Sequence, residues 1–353
     1  MRRALLACAA ALVASACTPP APTLDERLAA GRAALDAGDT PRAISELEAA
    51  VAINPTQAEA QVLLGQAYYR AGRVEEARAR LRAGLNQDPN NAPAQYLLGD
   101  ISVEDGDIGG AVLAYGAAVA MDPASRGEHP QIDQVVEPAV KAGREAVEAG
   151  QFPRAIELLD AALKLAPENK EARFALGNAH FSAGDLDAAR ASYEAVLNID
   201  PSYAPALTNL GVVAYQTGDL DRAVSQFTKA LEVDPQDAET HYLLGAAYLN
   251  QNKREEARAE FEQALELKSN LAEALIGLGN VYLLDKDYDQ AVATLQRAIE
   301  LLPEAPEAFF ALGKAYAAMG RCADAVPVFE RFLTLNPAQP FADEAHRILQ
   351  TCN

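Results

Sequence analysis

Tryptophan is absent from the 353-residue sequence, aromatic residues make up only 6% of it, and there are just four histidines and four cysteines. His129, His180, His241 and His346 are scattered, with no His-x-x-x-His pair and no His/Cys cluster at metal-ligand spacing, so no metal is expected. Gly313-Lys314-Ala315 lacks the hydroxyl residue and the upstream glycine of a phosphate-binding loop. With no constellation of nucleophile, base and orienting group, neither enzymatic activity nor a cofactor is expected. Positive charge is also scarce: 30 lysines and arginines stand against 50 aspartates and glutamates, a formal net charge of −20. Such a surface repels nucleic acid and anionic lipid, which argues against both as partners. Much of the acidity suits a solvated face that keeps a long chain soluble. The apolar run near the N-terminus, Ala4 to Val13, is shorter than the roughly 20 residues needed to span a bilayer.

What is present is repetition. From Pro205 to Pro235, apolar residues recur at helical spacing in two runs, Leu207-Leu210-Val213-Ala214 and Ala223-Phe227-Ala230-Leu231, which predicts two amphipathic helices. Gly218-Asp219 lies between them, glycine for a positive φ and aspartate to cap the next helix; Asp234-Pro235 ends the second. The same pattern is written nine times. Glycine stands at 31, 65, 99, 143, 177, 211, 245, 279 and 313, and alanine at 43, 77, 111, 155, 189, 223, 257, 291 and 325. The closing proline recurs at 55, 89, 123, 167, 201, 235, 303 and 337, with Ser269 in its place once. Every step is 34 residues except one of 44 after Pro123, which marks an insertion.

A helical pair repeated at 34 residues, with small residues where helices cross, resembles the tetratricopeptide repeat. The usual tryptophan of the first helix is replaced by Arg27, Gln61, Gln95, Ala139, Arg173, Leu207, His241, Leu275 and Phe309. The resemblance implies an all-α, right-handed superhelical solenoid of nine helix-turn-helix units, closed by a C-terminal capping helix. Units 1–3 are expected over 24–123, an insertion or hinge over 124–135, units 4–9 over 136–337 and the cap over 338–353. Unit three, with Gly106, Gly109, Gly110 and the mid-helix Gly116, is expected to be the loosest.

Residues 1–16 read as a signal segment: Met1-Arg2-Arg3, then a short apolar stretch, then Val13-Ala14-Ser15-Ala16-Cys17. That ending looks like the lipobox of bacterial lipoproteins, with Cys17 the acylated residue. Residues 17–23 form a proline-rich tether of short reach. Thr18 after the cysteine favours, by the same resemblance, the periplasmic face of an outer membrane. Cys8 departs with the signal, which leaves Cys322 and Cys352. The first opens the second helix of unit nine and the second ends an antiparallel cap, so a disulfide between them is expected.

In tetratricopeptide arrays the first helices line a concave face that receives a peptide. Carried onto this chain, the resemblance implies a lining of Phe174, Asn178 and Phe181, then Thr208, Asn209, Val212 and Tyr215. Tyr242, Ala246 and Leu249 follow, then Ile276, Asn280 and Leu283. Amides of this kind hold a peptide backbone, and the apolar residues bury anchors. The clamp that holds acidic C-termini in chaperone-binding members needs cations where this chain has Glu239 and Leu243, which argues against such a ligand. The expected role is a lipid-anchored scaffold for another envelope protein in pilus, secretion or outer-membrane assembly. The rival expectations are a regulator or tether of a cell-wall enzyme, and an accessory to polymer or glycan export.

Overall fold

The structure, a computed structural model, describes residues 21–352. The expected signal segment, Cys17 and the start of the tether lie outside them. Among the described residues the chain is helical and without strands. Nine hairpins follow one another: α1 (Leu24–Asp36) with α2 (Thr40–Ile53), α3 (Ala58–Arg70) with α4 (Val74–Gln87), α5 (Ala92–Glu104) with α6 (Ile108–Met121), α7 (Ile132–Glu148) with α8 (Phe152–Leu165), and α9 (Lys170–Ser182) with α10 (Leu186–Ile199). Then come α11 (Ala204–Gln216) with α12 (Leu220–Val233), α13 (Ala238–Asn250) with α14 (Arg254–Leu267), α15 (Ala272–Leu284) with α16 (Tyr288–Leu301), and α17 (Pro306–Ala318) with α18 (Cys322–Thr334). A single helix, α19 (Gln339–Cys352), ends the chain. Packing divides these into two compact units whose boundary runs through the fourth hairpin: residues up to Ala142 with Asp160–Pro167, and Gly143–Leu159 with Glu168 onward.

One contact, repeated nine times, closes the hairpins. Each glycine of the 34-residue column is buried, and sixteen residues later the second helix places a large side chain on it: Leu47, Leu81, Tyr115, Leu159, Tyr193, Phe227, Phe261, Leu295 and Phe329, none more than 1% exposed. A Cβ on any of these glycines would come within 2.4–2.8 Å of that side chain. The alanines of the second column are all at 0% exposure. Small residues at the crossing let the backbones approach, and the large residue fills the gap that results.

The turns are closed by Gly38, Gly72, Gly106, Gly150, Gly184, Gly218 and Gly320 at φ between 71° and 84°. Asn252 and Lys286 take the same left-handed conformation in the seventh and eighth hairpins. Asp39, Asp107, Asp185, Asp219 and Asp287 then cap the second helices, each accepting from a backbone N–H three residues on.

The insertion is partly helical. Pro123–Glu128 forms a 3-10 turn, and α7 starts at Ile132, four residues before the expected boundary, with that isoleucine only 1% exposed. The segment is tied to the third hairpin. His129 stacks on Tyr96 at 4.3 Å, its Nδ1 lies 3.1 Å from the Asp100 carboxylate, and the Tyr96 hydroxyl donates to the Asp122 carbonyl at 2.6 Å. Its polar composition hides this, because the anchors are a ring stack and long-range hydrogen bonds rather than an apolar stripe. Gly116 also has a packing role: a Cβ there would meet the Ala161 backbone at 3.1 Å.

At the other end α19 buries Ala345 completely and rests Ile348 and Leu349 on the core of the second unit. Cys322 and Cys352 are joined by a disulfide, with Cα atoms 5.2 Å apart. The start of α18 and the end of α19 meet there, as antiparallel packing requires.

Candidate functional site

The thirteen residues expected to line a binding face all lie in the second unit, on α9, α11, α13 and α15. Every one of them is half-buried. Their columns follow from helix geometry: Phe174, Thr208, Tyr242 and Ile276 occupy equivalent positions, as do Asn178, Val212, Ala246 and Asn280, and Phe181, Tyr215, Leu249 and Leu283. Positions three and four apart share one helix face. The other sides of α11, α13 and α15 are taken up by each helix's own partner and by the second helix of the preceding hairpin, so this face is the one left open.

The polar residues on it divide into two kinds. Some serve the fold. The Asn178 side-chain oxygen accepts from the Tyr193 hydroxyl at 2.8 Å and from the Asn209 amide at 3.0 Å, so the two asparagines bridge adjacent hairpins. Thr208 and Thr240 share a hydrogen bond of 2.9 Å, and Thr240 donates to Asp237 at 2.6 Å. The Tyr215 hydroxyl accepts from the Asn250 amide. The expectation that the amides wait for a peptide backbone is therefore met least by Asn178, whose oxygen already has two donors. The Asn280 side chain has no hydrogen-bond partner among the described residues.

The apolar residues are set by rings beneath them. Phe174 packs on Tyr193 at 5.7 Å and edge-on to Tyr203 at 5.3 Å, and Tyr242 leans on Phe261 at 6.2 Å. Burial pushes the Tyr193 hydroxyl up to about 12, with the Asn209 amide opposing the shift. The Tyr242 hydroxyl is raised too, first by burial and then by the Glu273 carboxylate, the Tyr215 hydroxyl and the Glu307 carboxylate. Those two glutamates therefore act on this face, although the lining inferred from the sequence leaves them out.

Also missing from that lining is Phe310, which continues the column of Tyr242 and Ile276 by one more 34-residue step. Extending the column to the ninth hairpin would have found it. Its ring lies 5.1 Å from Phe332 and 5.3 Å from Phe341, beside a cavity of about 340 Å³. Phe341 stands one 34-residue step beyond Glu307, in the column of Glu239 and Glu273, because α19 keeps the register of a first helix. Three cations of other first helices, Arg32, Arg70 and Lys314, are engaged. Arg32 pairs with Glu59, Arg70 donates to the Leu35 carbonyl at 2.6 Å, and Lys314 pairs with Glu344 at 3.0 Å. In the first unit a cavity of about 420 Å³ is lined by Tyr96, Asp100 and His129, whose polar atoms bond to one another or to the insertion.

Stacked helical hairpins with one open, half-buried face define an α-helical repeat protein built to present a binding surface. The chain belongs to the tetratricopeptide repeat family: profiles described as tetratricopeptide repeat match residues 34–101, 140–204, 176–236, 208–272 and 310–349, and one described as TPR repeat matches 285–320. Among solved structures it is similar to PilF of Pseudomonas aeruginosa, at 18% identity and a TM-score of 0.56 over 61% of this chain and 98% of that one. PilW, described as a widely conserved type IV pilus biogenesis factor, matches at 18% identity and 0.54 over 62% of this chain and 98% of that one. The Cut9–Hcn1 hetero-tetramer matches at 13% identity and 0.54 over 94% of this chain and 90% of that one. At these identities the likeness is one of fold. A comparison with curated protein sequences finds no match.

Proposed function

We propose that this protein is a lipid-anchored periplasmic scaffold that holds a segment of another envelope protein along the first helices of its second unit. The observation that carries the reading is the uniform half-burial of thirteen residues, twelve of them in 34-residue steps. Such a face is neither sealed into a core nor dispersed as single exposed side chains. A peptide laid across it buries apolar area at each step without first unfolding anything. The anchor rests on Ala14-Ser15-Ala16-Cys17 and the proline tether that follows; together they keep the protein at one membrane and raise the local concentration there of whatever it binds. Pilus biogenesis, the role printed for the PilW structure, is the first assembly pathway to examine.

Crosslinking in the intact envelope followed by affinity recovery and mass spectrometry tests this. The expected product is a subunit of an envelope assembly, recovered with the wild-type protein and lost from Tyr215→Asp/Tyr242→Asp, with helicity by circular dichroism unchanged. Undiminished recovery with the double variant would place binding elsewhere. Recovery of a peptidoglycan enzyme instead would support the regulator reading.

A further inference from the structure

We propose that the C-terminal end of this face is an anchor site for a polypeptide segment carrying a bulky apolar residue next to lysine or arginine. This deepens the scaffold reading and rests on it.

Two independent features meet there. The first is a cavity of about 340 Å³, walled by Pro306, Phe310, Phe332 and Phe341 with Asn280 and Glu307 at its margin. That volume lies at the small end of ligand pockets, which run from about 300 to 1,000 Å³. Its walls come from four helices of the second unit, α15, α17, α18 and α19. Phe341 is 51% exposed, a large apolar ring held at a pocket rim rather than in a core. The Asn280 amide, without a hydrogen-bond partner among the described residues, supplies a donor and an acceptor suited to a peptide group.

The second feature is charge. Glu239, Glu273 and Glu307 occupy one position of three consecutive first helices, each three residues before a lining residue: Tyr242, Ile276 and Phe310. All three are exposed. Glu239 is paired with Lys268 at 3.3 Å, but Glu273 and Glu307 have no cationic partner among the described residues. Both act on the Tyr242 hydroxyl, so their fields fall on the open face. Lys314 is paired with Glu344 and packed 5.3 Å over the Phe310 ring. An apolar pocket flanked by unneutralised carboxylates complements an apolar residue beside a cation and disfavours an acidic segment. The occupant is polypeptide because the pocket is the last step of a face that continues through Ile276 and Tyr242, a run that a small molecule does not span.

The test is to pan the full chain, in detergent, against a phage-displayed random peptide library. The affinities of the enriched peptides are then measured by fluorescence anisotropy against four proteins: wild type, Glu273→Gln/Glu307→Gln, Phe341→Ala and Tyr215→Asp/Tyr242→Asp. Enriched sequences should place Lys or Arg beside Phe, Leu, Met or Tyr. The double Gln variant, which preserves shape, should bind about tenfold more weakly and lose most of the salt dependence. Phe341→Ala should cost about tenfold or more, as truncating an aromatic anchor pocket does, with helix content and the disulfide retained. Enriched peptides without cations would overturn the proposal. So would affinities indifferent to both the Gln and Phe341 changes yet lost in the tyrosine variant, an outcome that leaves the groove itself standing. No enrichment over bare support would remove groove and anchor site together.

Discussion

Gly211 shows what a single residue does here. Its missing Cβ leaves room for the Phe227 ring, which would lie 2.5 Å from an added methyl group. Gly211→Ala should therefore destabilise the protein by about 1–3 kcal/mol, as overpacking does. Adding Phe227→Leu should recover part of that loss, which urea denaturation of the single and double variants measures. The opposite sign is expected at Lys286, a side-chain-bearing residue at φ 66° where seven other hairpins have glycine. Lys286→Gly should stabilise by roughly 1 kcal/mol by relieving left-handed strain. Titration is a residue-scale effect as well. Tyr193, with an ordinary hydroxyl value of 10.0 raised to about 12 in the fold, binds its proton more tightly folded than unfolded. Its contribution is fully present below pH 10 and is lost as pH rises towards 12, on the order of 2 kcal/mol. Stability measured against pH should fall across that window, and Tyr193→Phe should fall less steeply.

At the scale of the element, the second helix begins in one of two ways in eight of the nine hairpins, the fourth having Gln151 in that place. Where aspartate stands, as at Asp219, its carboxylate caps the helix by accepting from Arg222 N–H at 3.1 Å. Asp219→Ala should cost about 1 kcal/mol. Where a cation stands in that place, it covers a tyrosine of the first helix instead. Arg73 lies 4.1 Å over Tyr68, Arg321 4.6 Å over Tyr316 and Lys253 5.6 Å over Tyr248. The tryptophan position shows a similar exchange. His241 Nδ1 lies 2.6 Å from Glu260, and Arg27 pairs with Glu46, so polar pairs join some hairpins where a large ring is usual. Helices, turns and crossings were legible because each depends on residues close in sequence and repeated at a fixed step. These substitutions were not, since their partners lie five or nineteen residues away and change from one hairpin to the next. The cap is an element of a different kind, fastened by a disulfide that closes a separation of 30 residues. Reduction should loosen α19 by about 3–4 kcal/mol in the chain-entropy account. Hydrogen exchange should show that change in α19 and the end of α18, with the earlier hairpins unaffected.

For the whole molecule, stability is a sum of hairpins and their neighbour contacts rather than the property of one core. The variants above should therefore act locally, with unfolding profiles that differ between probes placed in different hairpins. The architecture was readable from two columns of small residues. The binding face was readable only in part: the lining followed from the 34-residue step, whereas at Phe341 the same step puts an aromatic ring where the preceding hairpins have Glu239, Glu273 and Glu307, and the hydrogen-bonding commitments of Asn178 and Thr208 depend on neighbouring hairpins. The insertion escaped because its anchors, Tyr96 and Asp100, precede it by about thirty residues. The central claim is that partners are held on the first-helix face of the second unit. Site-specific photocrosslinking in the living cell tests it most directly, with a photoreactive residue placed at Ile276, half-buried on α15, or at Lys229, exposed on α12. A discrete protein adduct from position 276 and none from 229 is the result expected; adducts from 229 alone would contradict it.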